Sequence, residues 1–154
     1  MKERWLPVGI LAGGLFAINI VARLVVWLTA ENSARSQTRI GVIAMLAVAV
    51  AMVGAAYWWA RRHQIPRVAA DLVVAMAASC LLAVLVGPFA AGSRPLREGG
   101  GFFFAQIWQY LVIAAGGMLF GLLLVMMLGQ DWKSQQWKRY TEQVRAKPRR
   151  VVRR

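Results

Sequence analysis

The sequence is poor in the side chains from which enzyme sites are usually built: one cysteine, one histidine and six carboxylates in 154 residues. A lone Cys80 excludes a disulfide within the chain and any CxxC redox or zinc motif. Inside an apolar run it reads as a small buried hydrophobe. His63 stands among arginines in a connection, where a solvated residue at an interface is expected rather than a metal ligand. HExxH, GxSxG, a P-loop, GxGxxG after a strand and paired carboxylates are all missing. Ser79 has no histidine in any apolar run to serve as its base. The expectation is a protein that is not an enzyme, with no cofactor and no metal.

Acidic charge is scarce as well. Six Asp and Glu stand against 19 Lys and Arg, a net charge of +13. Such an excess can mark a nucleic-acid binder, but position decides more than sign. Most of the basic residues lie outside the apolar runs, and no nucleic-acid module accompanies the terminal RRVVRR. A nucleic-acid partner is not expected.

Apolar length is abundant. Hydrophobic residues make up 59% of the chain, against about 45–50% in a soluble domain, and the mean hydropathy is +0.52. Four runs, Leu6 to Leu28, Ile40 to Ala60, Val68 to Pro88 and Phe102 to Leu128, approach or exceed the ~20 residues an α-helix needs to cross a bilayer. The fold class expected is an all-α integral membrane protein. Residues 1–128 form a four-transmembrane-helix bundle, and residues 129–154 form a basic juxtamembrane helix and disordered tail. The first run follows Lys2 and Arg4 as a signal-peptide core would, but it is longer than such cores and carries Asn19 and Arg23, so a retained helix is expected. Pro7 suits its first turn, and Pro66 opens the third helix.

The basic residues also orient the bundle. Fourteen Lys and Arg fall in residues 1–5, the second connection and the tail, and four fall in the first and third connections. The positive-inside rule then places both termini in the cytoplasm of a multi-pass protein of the cell membrane. The preference for arginine over lysine, with abundant alanine and valine, hints at a GC-rich genome and a bacterial plasma membrane. Tyr57, Trp58 and Trp59 mark the headgroup level at the end of the second run.

One charge lies within an apolar run. At 1.5 Å per residue, Arg23 sits roughly 8 Å below the outer surface, and Gln106 to Tyr110 sit about 6 to 12 Å below it on the last helix. Asp71 is on the order of 20 Å away and pairs more simply with Arg67 at i, i+4. The same two helices carry Gly9 and Gly13, and Gly117 and Gly121, at the GxxxG spacing that allows close backbone approach. The spacing therefore predicts that the first and last helices pack antiparallel, glycine to glycine at the inner end. Asn19, Arg23, Gln106, Gln109 and Tyr110 would form an intramembrane polar cluster at the outer end, with Glu31 or Glu98 as possible counter-charges. The alternative is that Arg23 snorkels to the headgroups unaided.

In the tail, Trp132, Trp137, Tyr140 and Val144 share one side of a helix. Lys133, Lys138, Arg139, Arg145, Lys147, Arg149 and Arg150 are candidate contacts to anionic lipid headgroups, each worth about 1 kcal/mol near an acidic leaflet. In helix count the chain resembles the small multidrug-resistance exporters, but it offers Arg23 where they use a carboxylate in the first helix. The phenylalanine and threonine motifs of four-helix fluoride channels are missing from residues 68–88. The function expected is that of a non-catalytic accessory or scaffold subunit, its partners the bilayer, anionic headgroups and a membrane protein or a second copy of itself. The alternatives are a small oligomeric transporter or channel with an outward-facing site at Arg23 and, more distantly, a holin-like protein.

Overall fold

Where apolar length calls for helices, the chain forms them. The structure, a computed structural model, describes residues 2–29, 34–87 and 100–146. Its helices are α1 (Lys2–Thr29), α2 (Ala34–Ala60), α3 (Ile65–Leu85), α4 (Gly100–Met127) and α5 (Trp132–Ala146), with no strand among the described residues. The first four are each long and apolar enough to cross a membrane. The loop expected at 89–101 lies mostly outside the described residues, as does the disorder expected beyond Ala146.

The helices outrun the apolar runs. Residues 34–39, expected as a polar connection, form the first turns of α2, because backbone hydrogen bonding does not stop where hydropathy falls. Pro7 falls in the second turn of α1 rather than the first, at the cost of one backbone hydrogen bond. Pro66 stands at the start of α3 behind Gln64 as N-cap, where its missing N–H costs nothing.

Packing follows stripes of small and branched residues. On α2 every fourth residue from Ala44 through Val48, Met52 and Ala56 to Ala60 is buried, an i±4 ridge. On α1 the buried face is Val8, Ala12, Leu15 and Asn19, and on α4 it runs from Tyr110 through Ala114 and Met118 to Val125. The most extensive contact is between α2 and α4, followed by α1 with α3, α1 with α2, and α3 with α4. A Cβ placed on Gly117 would stand 2.6 Å from the Ala49 carbonyl oxygen, and one on Gly121 2.6 Å from that of Val53. Residues 117 and 121 therefore match 49 and 53 in the same order, so α2 and α4 run in the same direction.

This arrangement differs from the expected pairing of α1 with α4. Gly117 and Gly121 do mark a close approach, but the backbone they meet belongs to α2. Gly9 and Gly13 are exposed, and a Cβ on either would meet nothing within 4 Å. The GxxxG spacing permits close approach without requiring it. On α1 the larger side chains of Val8 and Leu15 take the packed face, which turns the glycines outward.

All four long helices turn large apolar side chains away from the core, among them Ile10, Ile43, Leu81, Leu119 and Phe120. In water such a surface would aggregate, whereas in lipid it is the face a spanning helix must present. The α2–α4 contact gives a direct expectation. Gly121→Ala puts a methyl against the Val53 carbonyl and 2.8 Å from the Ala56 Cβ, and costs about 1–3 kcal/mol of stability. Gly13→Ala leaves stability unchanged. Thermal denaturation in a single detergent compares the two.

Candidate functional site

Arg23 extends the packed face of α1 by one turn beyond Asn19. It is half-buried, with its guanidinium against the Gly87 backbone at the end of α3: a Cβ on Gly87 would lie 2.9 Å from Nε and 3.4 Å from Nη2. One turn earlier, Asn19 turns its Nδ2 back to the Leu15 carbonyl at 3.1 Å.

The other members of the expected polar cluster do not gather around Arg23. The Tyr110 hydroxyl points into the core and shares a 2.9 Å hydrogen bond with Ser79 Oγ of α3, and Ser79 also donates to the Met76 carbonyl at 3.0 Å. Gln106 is half-buried, and Gln109 is exposed on the side facing α2. No hydrogen bond joins Arg23 to Gln106, Gln109 or Tyr110 among the described residues. The Ser79–Tyr110 bond escaped the sequence because it depends on the mutual rotation of two helices. Its logic is simple once seen, since two hydroxyls satisfy each other where water is absent.

A connected polar structure stands at the other end of the bundle. Gly129 adopts φ +57°. Its N–H donates to the Met126 carbonyl and that of Gln130 to the Val125 carbonyl, the Schellman pattern that closes a helix and redirects the chain. Asp131 then caps α5, its Oδ2 accepting the Ser134 N–H at 3.3 Å. Gln130 joins three elements: its Oε1 accepts from the Tyr57 hydroxyl of α2 at 2.6 Å, and its carbonyl accepts from Gln135 Nε2 of α5 at 2.7 Å. Lys138 reaches back to the Gly129 carbonyl at 3.3 Å.

Beside this junction two arginines lie over aromatic rings, Arg61 over Tyr57 at 5.6 Å and Arg62 over Trp58 at 4.7 Å. Both are i, i+4 pairs, so the signal was present in the YWW and RR runs. Of the candidate headgroup contacts, Lys133, Lys138, Arg139 and Arg145 are exposed along α5. Lys147, Arg149 and Arg150 lie outside the described residues. Trp137, Tyr140 and Val144 are exposed on the same helix, with the two rings edge to face at 6.5 Å.

Hydrogen bonds from Ser134 hold the Asp131 carboxyl below its ordinary range. A carboxyl with a depressed folded pKa stabilises fully above its unfolded value of about 3.9. That contribution is lost as pH falls through the lower, folded value. Amide-exchange protection of residues 132–146 is therefore expected to fall below about pH 4. Asp131→Asn, which still caps, should flatten that dependence, and Asp131→Ala should cost about 0.5–2 kcal/mol of helix stability at neutral pH.

Comparison with protein-family profiles, with curated proteins and with solved structures gave no match, so function has to be read from the chain's own residues.

Proposed function

We propose that the protein is a non-catalytic accessory or scaffold subunit of a bacterial plasma membrane, which holds a transmembrane helix of a partner membrane protein against α2 and α4. The observation that carries this reading is a groove of about 520 Å³ between these helices, lined by Gly41, Met45, Ala49, Ile113 and the exposed Gln109. In lipid no hydrophobic force draws helices together, so association relies on small residues and on hydrogen bonds between helices. Gly41 and Ala49 supply the first, and the Gln109 amide supplies the second. Gln109 lies about 10 Å along α4 from Phe102, where the apolar run begins, a depth at which an exposed amide has no water to bond.

Both termini are assigned to the cytoplasm, on the distribution of lysine and arginine. Aromatic side chains at both ends of the helices support two headgroup levels, with Trp58, Trp59 and Trp132 at the basic end and Trp27 and Phe104 toward the other. The exposed Trp137, Tyr140 and Val144 suit α5 to lie on the inner leaflet, its basic residues among acidic headgroups. A transport site at Arg23 would need Tyr110 and Gln109 to converge on it. Tyr110 bonds Ser79 and Gln109 faces the groove, so the accessory role is preferred.

Purification of the tagged full-length protein from its native membrane in a mild detergent tests this. A stoichiometric membrane protein is expected with the wild type and reduced about tenfold with Gly41→Leu or Gln109→Leu. Melting temperature should not change for Gly41→Leu, because a Cβ at Gly41 meets open space. Recovery of the wild type alone, or only with itself, overturns the proposal.

A further inference from the structure

The stacked arginines at the end of α2 are one wall of a notch of about 450 Å³, which is lined by Gly54, Tyr57, Trp58, Arg61, Arg62 and Gln135. From this arrangement, and resting on the membrane reading above, we infer that the notch binds one acidic phospholipid, its phosphate held by Arg61 and Arg62 and an acyl chain laid along Gly54.

Three features distinguish the notch from a basic surface in general. Stacking on the Tyr57 and Trp58 rings restrains both guanidinium planes and leaves their edge N–H groups available, the fork that matches a phosphate. No carboxylate lines the notch, and neither arginine is ion-paired among the described residues. Asp131, which precedes α5, is committed to capping that helix.

The notch also has the depth a lipid needs. Gly54 lies about 10 Å up α2 from Arg61, and a Cβ there would meet nothing within 4 Å. Glycine thus opens a channel from the charged rim into the apolar layer beside Trp58, where a free anion would have no use for it. Gln135 of α5 forms the opposite wall. It is tied to the Gln130 carbonyl, while Gln130 also takes the Tyr57 hydroxyl. One residue therefore sets the spacing of both walls.

Diffuse attraction to the exposed basic face of α5 is the competing account, and the experiment separates the two. The full-length protein is reconstituted in phosphatidylcholine nanodiscs with and without phosphatidylglycerol, and native mass spectrometry counts the lipids each variant retains. The wild type is expected to retain one phosphatidylglycerol in preference to phosphatidylcholine. Arg61→Gln with Arg62→Gln should lower that retention about tenfold, and Gly54→Leu should lower it with all charges in place. Lys133→Gln, Arg139→Gln and Arg145→Gln together, a larger loss of charge on α5 that touches neither the notch nor the junction at Gln130, should leave that one lipid retained. An equal loss in the α5 variant, or full retention in Gly54→Leu, overturns the inference. So does inorganic phosphate alone raising the melting temperature of the detergent-solubilised wild type through Arg61 and Arg62, which would make the site one for a free anion. If the double arginine variant does not fold, Gly54→Leu carries the test. Failure of the wild type to enter nanodiscs at all would sink the membrane reading, whereas entry without lipid preference sinks only the notch.

Discussion

Close backbone contact between α2 and α4 is the constraint on which the bundle depends. Gly117 and Gly121 leave no side chain between α4 and the carbonyls of Ala49 and Val53, and a lipid-embedded bundle has little besides such dispersion contact to hold it. Once α2 and α4 meet there, the i±4 ridge of α2 is committed to the core. Tyr110 is turned toward α3, where Ser79 meets it. The remaining face of α2, with Gly41 and Met45, is left for the groove. Core, buried polar pair and groove are three sides of one contact.

Four helices long and apolar enough to span a membrane were legible because apolar length and hydropathy are properties of each run taken alone. Helix starts were less so, as residues 34–39 show, because a polar residue outside the bilayer can extend a helix it would not be chosen to span with. Gly117 and Gly121 were legible as packing residues while their partner was not, since the spacing names a capability and the neighbour depends on all four helices at once. For the same reason the two glycines of α1 were given a role that Val8 and Leu15 hold. Arg23 was legible as an exception in its run, but its place at the end of α3 follows from the register of α1 against α3, with Val8 and Ala12 beside Ala75, which linear order does not convey.

At the basic end the local signals were stronger than the reading made of them. Gly129, Gln130 and Asp131 spell a helix stop, a link and a helix start in consecutive positions, and each does what its chemistry favours. Tyr57 and Trp58, four residues before Arg61 and Arg62, are spaced for stacking on any helix that continues that far. What the linear order could not convey is that the two groups adjoin, and that Gln130 binds both.

The left-handed turn at Gly129 also determines the protein's reach. Without it α4 could run on into α5 as one rod, and its last 15 residues would stand about 22 Å beyond the bundle, a mast holding its aromatics away from the other helices. The turn changes the direction of the chain at the boundary and converts that height into breadth. By the same turn Gln135 faces Tyr57 and Arg62 across the notch, and Trp132 and Lys133 adjoin Gln64 and Pro66 at the start of α3.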